Sequence, residues 1–292
     1  RAVATWNEKR LNLFYDGVVG DKSYRTSIWG TVAQRADTHN DPGKFTALIG
    51  YEWTQLFYNL HRVVIYKDSA EKVGPFLPFS QYDSDDPEDL WAYLDRYERK
   101  TGGEVLAIPH NSNWSMGVMF ALEDAKGQAL STAYAKTRMR WEPLLEVTQI
   151  KGDSETHPDI SPDDEFSDFE RMSREPFPHQ SLREKRNYTG YDAWISKNHI
   201  NDNDTRWMRT YEYARSALKL GLSQQAKLGV NPFKFGLIGS TDSHTSLAAV
   251  DENNFWGKFA LHEPSAKRIM AADPFNWQMN AAGYAAVWAT EN

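Results

Sequence analysis

Short apolar runs at residues 45–53, 61–66, 105–110, 144–150 and 235–239 alternate with longer stretches of helical periodicity or polar loop. Each run is too short for a helix and rich enough in Val, Ile, Leu and aromatic side chains to predict a strand. The clearest helix is expected over 87–100. Pro87, Glu88 and Asp89 fill its first turn, and Leu90, Leu94 and Tyr97 share one face. Arg99 and Lys100 close it before Gly102-Gly103. A second helix is expected over 209–228, stopped by Gly229 and followed by Asn231-Pro232. Apolar Val3, Trp6 and Leu11 suggest a further helix at the start, and residues 74–86 read as a loop rich in Pro, Gly and Asp. Residues 151–208 are polar and punctuated by proline, which predicts a long surface excursion or a lid. Helices alternating with short strands predict an α/β fold, a parallel sheet or barrel with helices outside and working groups at the strands' carboxyl ends.

Composition narrows the function more than the fold. With 292 residues the chain can bury one large core, here taken as a single domain over 1–292. A formal net charge of −7 and no basic run argue against nucleic acid as a partner. No apolar run is long enough to cross a membrane. The absence of cysteine removes disulfides, thiolate metal sites and cysteine nucleophiles. The chain opens on Arg1 with no initiator Met, and reads as part of a longer polypeptide whose targeting segment would lie upstream, so localisation stays open. Oligomeric state is open too, with the aromatics of 75–91 and 255–288 as candidate interface.

The apolar runs lead into side chains that bind metals. Residues 47–51 run into Glu52, residues 105–109 into His110, and residues 235–239 into Asp242 and His244. His61 instead opens its strand, nine positions after Glu52, and returns to the same end if the connector forms a tight loop. In an extended segment Asp242 and His244, two residues apart, face the same way. Imidazole with carboxylate oxygen suits Zn²⁺, Mn²⁺ or Fe²⁺. Gly50 and Gly239, just before Glu52 and Asp242, leave room for close approach. Ordinary roles remain open for each: a salt-bridged strand end for Glu52, a core histidine for His61, a turn residue for His110. Glu146, inside its strand, is the weakest candidate ligand.

The segments Gly50-Tyr-Glu-Trp-Thr54, Asn59-Leu-His-Arg62, Ile108-Pro-His-Asn111, the stretch from Glu146 to Pro158 and Gly239-Ser-Thr-Asp-Ser-His244 together resemble the domain of unknown function 3604 family. That family is similar to the polymerase-and-histidinol-phosphatase (PHP) superfamily of metal-dependent hydrolases. The resemblance implies a distorted barrel of about seven β/α units, with two or three divalent ions at the strand carboxyl ends. It assigns Glu52 as a bridging ligand, with His61, His110, Asp242 and His244 as further ligands. The superfamily's opening His-x-His and following Asp-His have no counterpart here, and His39, read as lying in a polar loop, does not replace them. The first barrel strands are therefore expected to be missing from this chain.

These readings lead to a metal-dependent hydrolase of phosphate or sulfate esters, acting on a small anionic substrate through a metal-activated water. Arg62, Lys151 and His157 are the candidate anion binders or proton donors. Two rivals stand beside it: an amidohydrolase-type enzyme cleaving C–N bonds, and a non-catalytic barrel with an incomplete metal site. No Gly-x-Ser-x-Gly elbow, phosphate loop or His-Glu-x-x-His occurs.

Overall fold

The computed structural model describes residues 21–55, 58–149, 152–168, 189–198, 206–240, 242–244 and 285–289. Within them the chain is a mixed α/β protein with two three-stranded sheets. The first contains β1 (Ile49–Trp53), β2 (Arg62–Tyr66) and β3 (Val105–Pro109), in that order. Both pairings are antiparallel, with Glu52 opposite Val63 and Arg62 opposite Pro109. The second contains β4 (Leu144–Gln149), β5 (Gly152–Asp153) and β6 (Gly236–Gly239), in the order β5-β4-β6. There β4 and β6 run parallel, whereas β5 is antiparallel to β4.

Among the described residues the two sheets are open and no barrel closes, so the parallel arrangement expected throughout holds only for β4 and β6. The physical reason lies in the connectors. From Trp53 to Arg62 there is too little chain for a crossover, which takes about a dozen residues or more, so β2 folds back beside β1. Antiparallel pairing then carries the amino end of β2 to the carboxyl ends of β1 and β3. That edge is where the candidate ligands lie.

Between β2 and β3 runs α3 (Pro87–Thr101), preceded by α1 (Lys22–His39) and the single turn α2 (Ala70–Val73). The signals read for α3 act as expected. Asp86 caps the helix by accepting from the Glu88 N–H, and Gly102 ends it at φ 64°. Its buried face carries Leu90, Trp91, Leu94 and Tyr97 into the core beside Val64, Tyr66 and Ala107 of the first sheet. Two aromatics of the 74–86 loop pack on the core: Phe76 edge-on to Tyr97, and Phe79 stacked on Tyr93.

Helix α1 has no warning in the periodicity. Only Trp29 and Ala33 are buried, and His39 is its last residue, in a helical turn where a loop was expected. After β3 come a 3₁₀ turn (Ser112–Trp114) and α4 (Thr132–Trp141). Next are α5 (Thr189–Asn198), α6 (Arg206–Arg209) and α7 (Ala214–Leu228). The helix expected over 209–228 is thus broken before Ala214, where Tyr213 stands at the cap with extended backbone. The described parts of the polar excursion are docked. The Ala214 N–H donates to the Ser154 carbonyl, Arg215 pairs with Glu155 and Asp164, and Trp194 buries its ring and donates to the Gly117 carbonyl. The helix expected around Val3–Leu11 and nearly all of 255–288 lie outside the described residues. No described helix is long and apolar enough to cross a membrane.

Candidate metal centre

At the shared edge of the first sheet, three side chains meet on one oxygen. Glu52 points outward from the end of β1, because its neighbour Trp53 turns into the core and successive strand residues alternate. Glu52 Oε1 lies 2.7 Å from His61 Nδ1 and 3.1 Å from His110 Nε2. The two rings stand nearly perpendicular, with centroids 5.5 Å apart. They are neighbours because the first sheet's ladder continues one step beyond β2 and β3, where the His110 N–H donates to the His61 carbonyl at 3.2 Å. Gly50 makes this packing possible: a Cβ there would come within 2.6 Å of the Val64 carbonyl oxygen.

The second contribution comes from the other sheet. Glu52, Asp242 and His244 also converge, and in each of the two groups the candidate ligand atoms lie within 4.8 Å of one another. Glu52 is the member common to both. Exposure differs among the five side chains. That of His110 is fully buried and those of His61 and Asp242 are 10 % exposed, against 26 % for Glu52 and 36 % for His244. Asp242 and His244 do not meet through an extended segment, as first read. Asp242 adopts φ 52°, and the turn brings the His244 Nδ1 to 2.9 Å from the Asp242 carbonyl oxygen. Left-handed backbone at a non-glycine residue costs energy and concentrates at working sites.

Burial pushes the Glu52 carboxyl up, but hydrogen bonds from and proximity to His110 and His61 outweigh it and hold the group well below the usual carboxylate range. An anionic oxygen facing two imidazoles is a suitable donor set for a borderline divalent cation. His110 adds an independent mark. Its Nδ1 is buried and finds no hydrogen-bond partner among the described residues, although buried polar atoms are normally satisfied. The residues present therefore fit a metal.

Surrounding amides brace the histidines. Asn111, at φ 62°, places Nδ2 3.2 Å from His61 Nδ1, while its Oδ1 accepts from Gln149 at the end of β4. Asn113 accepts from the Ser154 hydroxyl at 2.8 Å. These bonds tie the carboxyl ends of β3 and β4 together, and with them the two sheets. In the sequence Asn111 stands out only as part of a segment that carries the family resemblance. Gln149 had no signal beyond its place at a strand end.

The remaining candidates are placed elsewhere. Arg62 faces the opposite side of β2 from the centre. Its Nε donates to Glu142 Oε1 at 2.9 Å, and the same oxygen accepts from Trp91 Nε1. Arg138 holds the other Glu142 oxygen at 3.1 Å, and all three charged side chains are buried. Arg62 is thus committed to a buried ion network and is corrected from anion binder to structural residue. His157 is half-buried, edge-on to Tyr213, and its Nδ1 accepts from the Asp159 N–H at 3.1 Å. It belongs to neither of the two ligand groups. Lys151 lies outside the described residues. Glu146, buried inside β4, accepts from the Ser240 N–H and hydroxyl and takes no part in the two groups.

No curated protein and no solved structure matches the chain. One family does, the family described as "Protein of unknown function (DUF3604)", over residues 2–292. Segments carrying all five candidate ligands lie inside that span, and the chain belongs to the DUF3604 family.

Proposed function

We propose that this chain is a metal-dependent hydrolase of phosphate or sulfate esters. The observation that carries the reading is the position of Glu52, whose carboxylate is common to the Glu52/His61/His110 group and the Glu52/Asp242/His244 group. A carboxylate shared between two ligand sets suits a pair of divalent ions, Zn²⁺, Mn²⁺ or Fe²⁺. When bound, such ions supply Lewis acidity toward an ester oxygen and lower the pKa of a water. His61 and His110 would hold the inner position, and Asp242 with His244 the outer one. His157, with Nδ1 accepting the Asp159 N–H, carries its proton at Nε2 when neutral and is the candidate donor to a leaving alkoxide. Lys151 remains the candidate for contact with substrate anion.

The same proposal includes a relationship to the PHP superfamily and its distorted barrel. Support comes from the common edge at which β1, β3, β4 and β6 end, with β3 and β4 joined there through Asn111 and Gln149. Those strands would form parts of one wall.

The test is metal analysis of the purified protein, joined to turnover of aryl phosphate, phosphodiester, aryl sulfate and amide substrates. Ester turnover that is removed by chelation and restored by Mn²⁺ or Zn²⁺ is expected. Amide turnover alone would replace the ester reading with C–N hydrolysis. Wild-type turnover in the double variant Glu52→Ala, His244→Ala would end the proposal.

A further inference from the structure

The second ligand group depends on a short segment with little sheet around it. Strand β6 ends at Gly239, and three residues later the backbone turns left-handed at Asp242. Asp242 nevertheless has to present its carboxylate to the same region as Glu52. Something must set the direction in which the chain leaves β6.

Glu146 is placed to do so. Register between β4 and β6 slips after Glu146, which pairs with Ile238, so that Thr148 pairs with Gly239 and Val147 has no partner in β6. This bulge redirects the strand, as bulges near working sites commonly do. It also requires glycine at 239, where a Cβ would stand 2.5 Å from Thr148 Cγ2. Beyond the bulge, Glu146 Oε1 accepts twice from one residue: from the Ser240 N–H at 3.1 Å and from the Ser240 hydroxyl at 2.7 Å. The Ser240 N–H also approaches the Thr148 carbonyl oxygen at 3.3 Å. Backbone and side chain of Ser240 are thereby both fixed by a buried carboxylate, and bonds to a charged acceptor are the stronger kind.

We infer that Glu146 and Ser240 form a clasp that aims the Asp242/His244 arm at Glu52, with Glu146 a positioning residue and not a metal ligand. The inference rests on the two-ion reading given above. It differs from the reading of Glu146 as a candidate ligand. Glu146 turns Oε1 to Ser240, and among the described residues it joins neither ligand group.

Metal content and the electron paramagnetic resonance of Mn²⁺-loaded protein test the clasp without reference to turnover. Wild type should hold two ions with a spin-coupled signal. Glu146→Ala should hold one, with the signal of an isolated Mn²⁺, because the inner group is untouched. Glu146→Gln keeps an acceptor for Ser240 and should retain two coupled ions, whereas a ligand carboxylate would not tolerate that change. Ser240→Ala, a smaller alteration that guards against misfolding of Glu146→Ala, should weaken the second ion by about 10-fold or more. Two coupled ions at wild-type affinity in both alanine variants would overturn the clasp alone. Loss of the second ion in Glu146→Gln as complete as in Glu146→Ala would make Glu146 a ligand and overturn it too. A wild type that binds no metal would remove the two-ion reading and the clasp with it.

Discussion

The two sheets supply ligands in opposite ways. Around β1, β2 and β3 the two histidines are buried, β2 pairs with β1 on one side and β3 on the other, and the ion network of Arg62, Glu142 and Arg138 backs them. Around β4 and β6 the ladder is shorter, it carries a bulge, and the ligands follow the strand in a left-handed turn that leaves His244 partly exposed. The first region resembles a socket and the second an arm. Rigid, dry donors favour tight retention of an ion, whereas an exposed donor on a turn permits exchange with solvent and approach of substrate.

Removing the support of the socket should give the largest effect. Glu142 is buried between two guanidiniums, and Glu142→Ala leaves both without their carboxylate. Breaking such a pair typically costs about 3–5 kcal/mol. Chemical denaturation should show that loss, and a change under about 1 kcal/mol would mean the network is dispensable. Next in size, His110→Ala should abolish retention of the inner ion on dialysis and lower the melting temperature. His244→Ala should lose the outer ion with the melting temperature almost unchanged. Equal melting temperatures in the two variants would erase the contrast between socket and arm.

A separate effect, away from both regions, concerns pH. Burial pushes the Glu212 carboxyl up to about 8, although the Gly117 N–H and Arg209 pull it down. A carboxyl raised in the folded state keeps its proton where the unfolded chain has lost it. Stability should therefore fall as pH rises from the ordinary carboxylate range, near 4.5, to about 8. Glu212→Gln should flatten that slope in thermal melts across the interval, and an unchanged slope would refute the assignment.

How much of this could be read from the residues depended on range. Strand ends and α3 were legible because capping, turn and apolar signals lie within a few positions of one another. Antiparallel pairing of β1 with β2 was legible in principle, since the connector is too short for a crossover, but the pattern of alternating elements suggested a parallel sheet instead. Between β2 and β3 the intervening helix α3 gave the same false indication. Arg62 could not be placed, because its partner Glu142 is 80 positions away and nothing local announces it. Helix α1 was hidden by Tyr24, Ile28 and Val32, which form an apolar stripe that stays about half exposed and so blurs the buried face. The candidate ligands were found because an apolar run followed by an acid or imidazole is a local feature. The turn that joins Asp242 to His244 was not.

The antiparallel hairpin has a consequence for biosynthesis. Glu52 lies in β1, His61 just before β2 and His110 just after β3, so one unbroken stretch of polypeptide supplies the whole socket. Chains emerge from the ribosome amino end first, and nearby contacts form before distant ones. A nascent chain could therefore assemble the Glu52/His61/His110 group before Asp242 is translated.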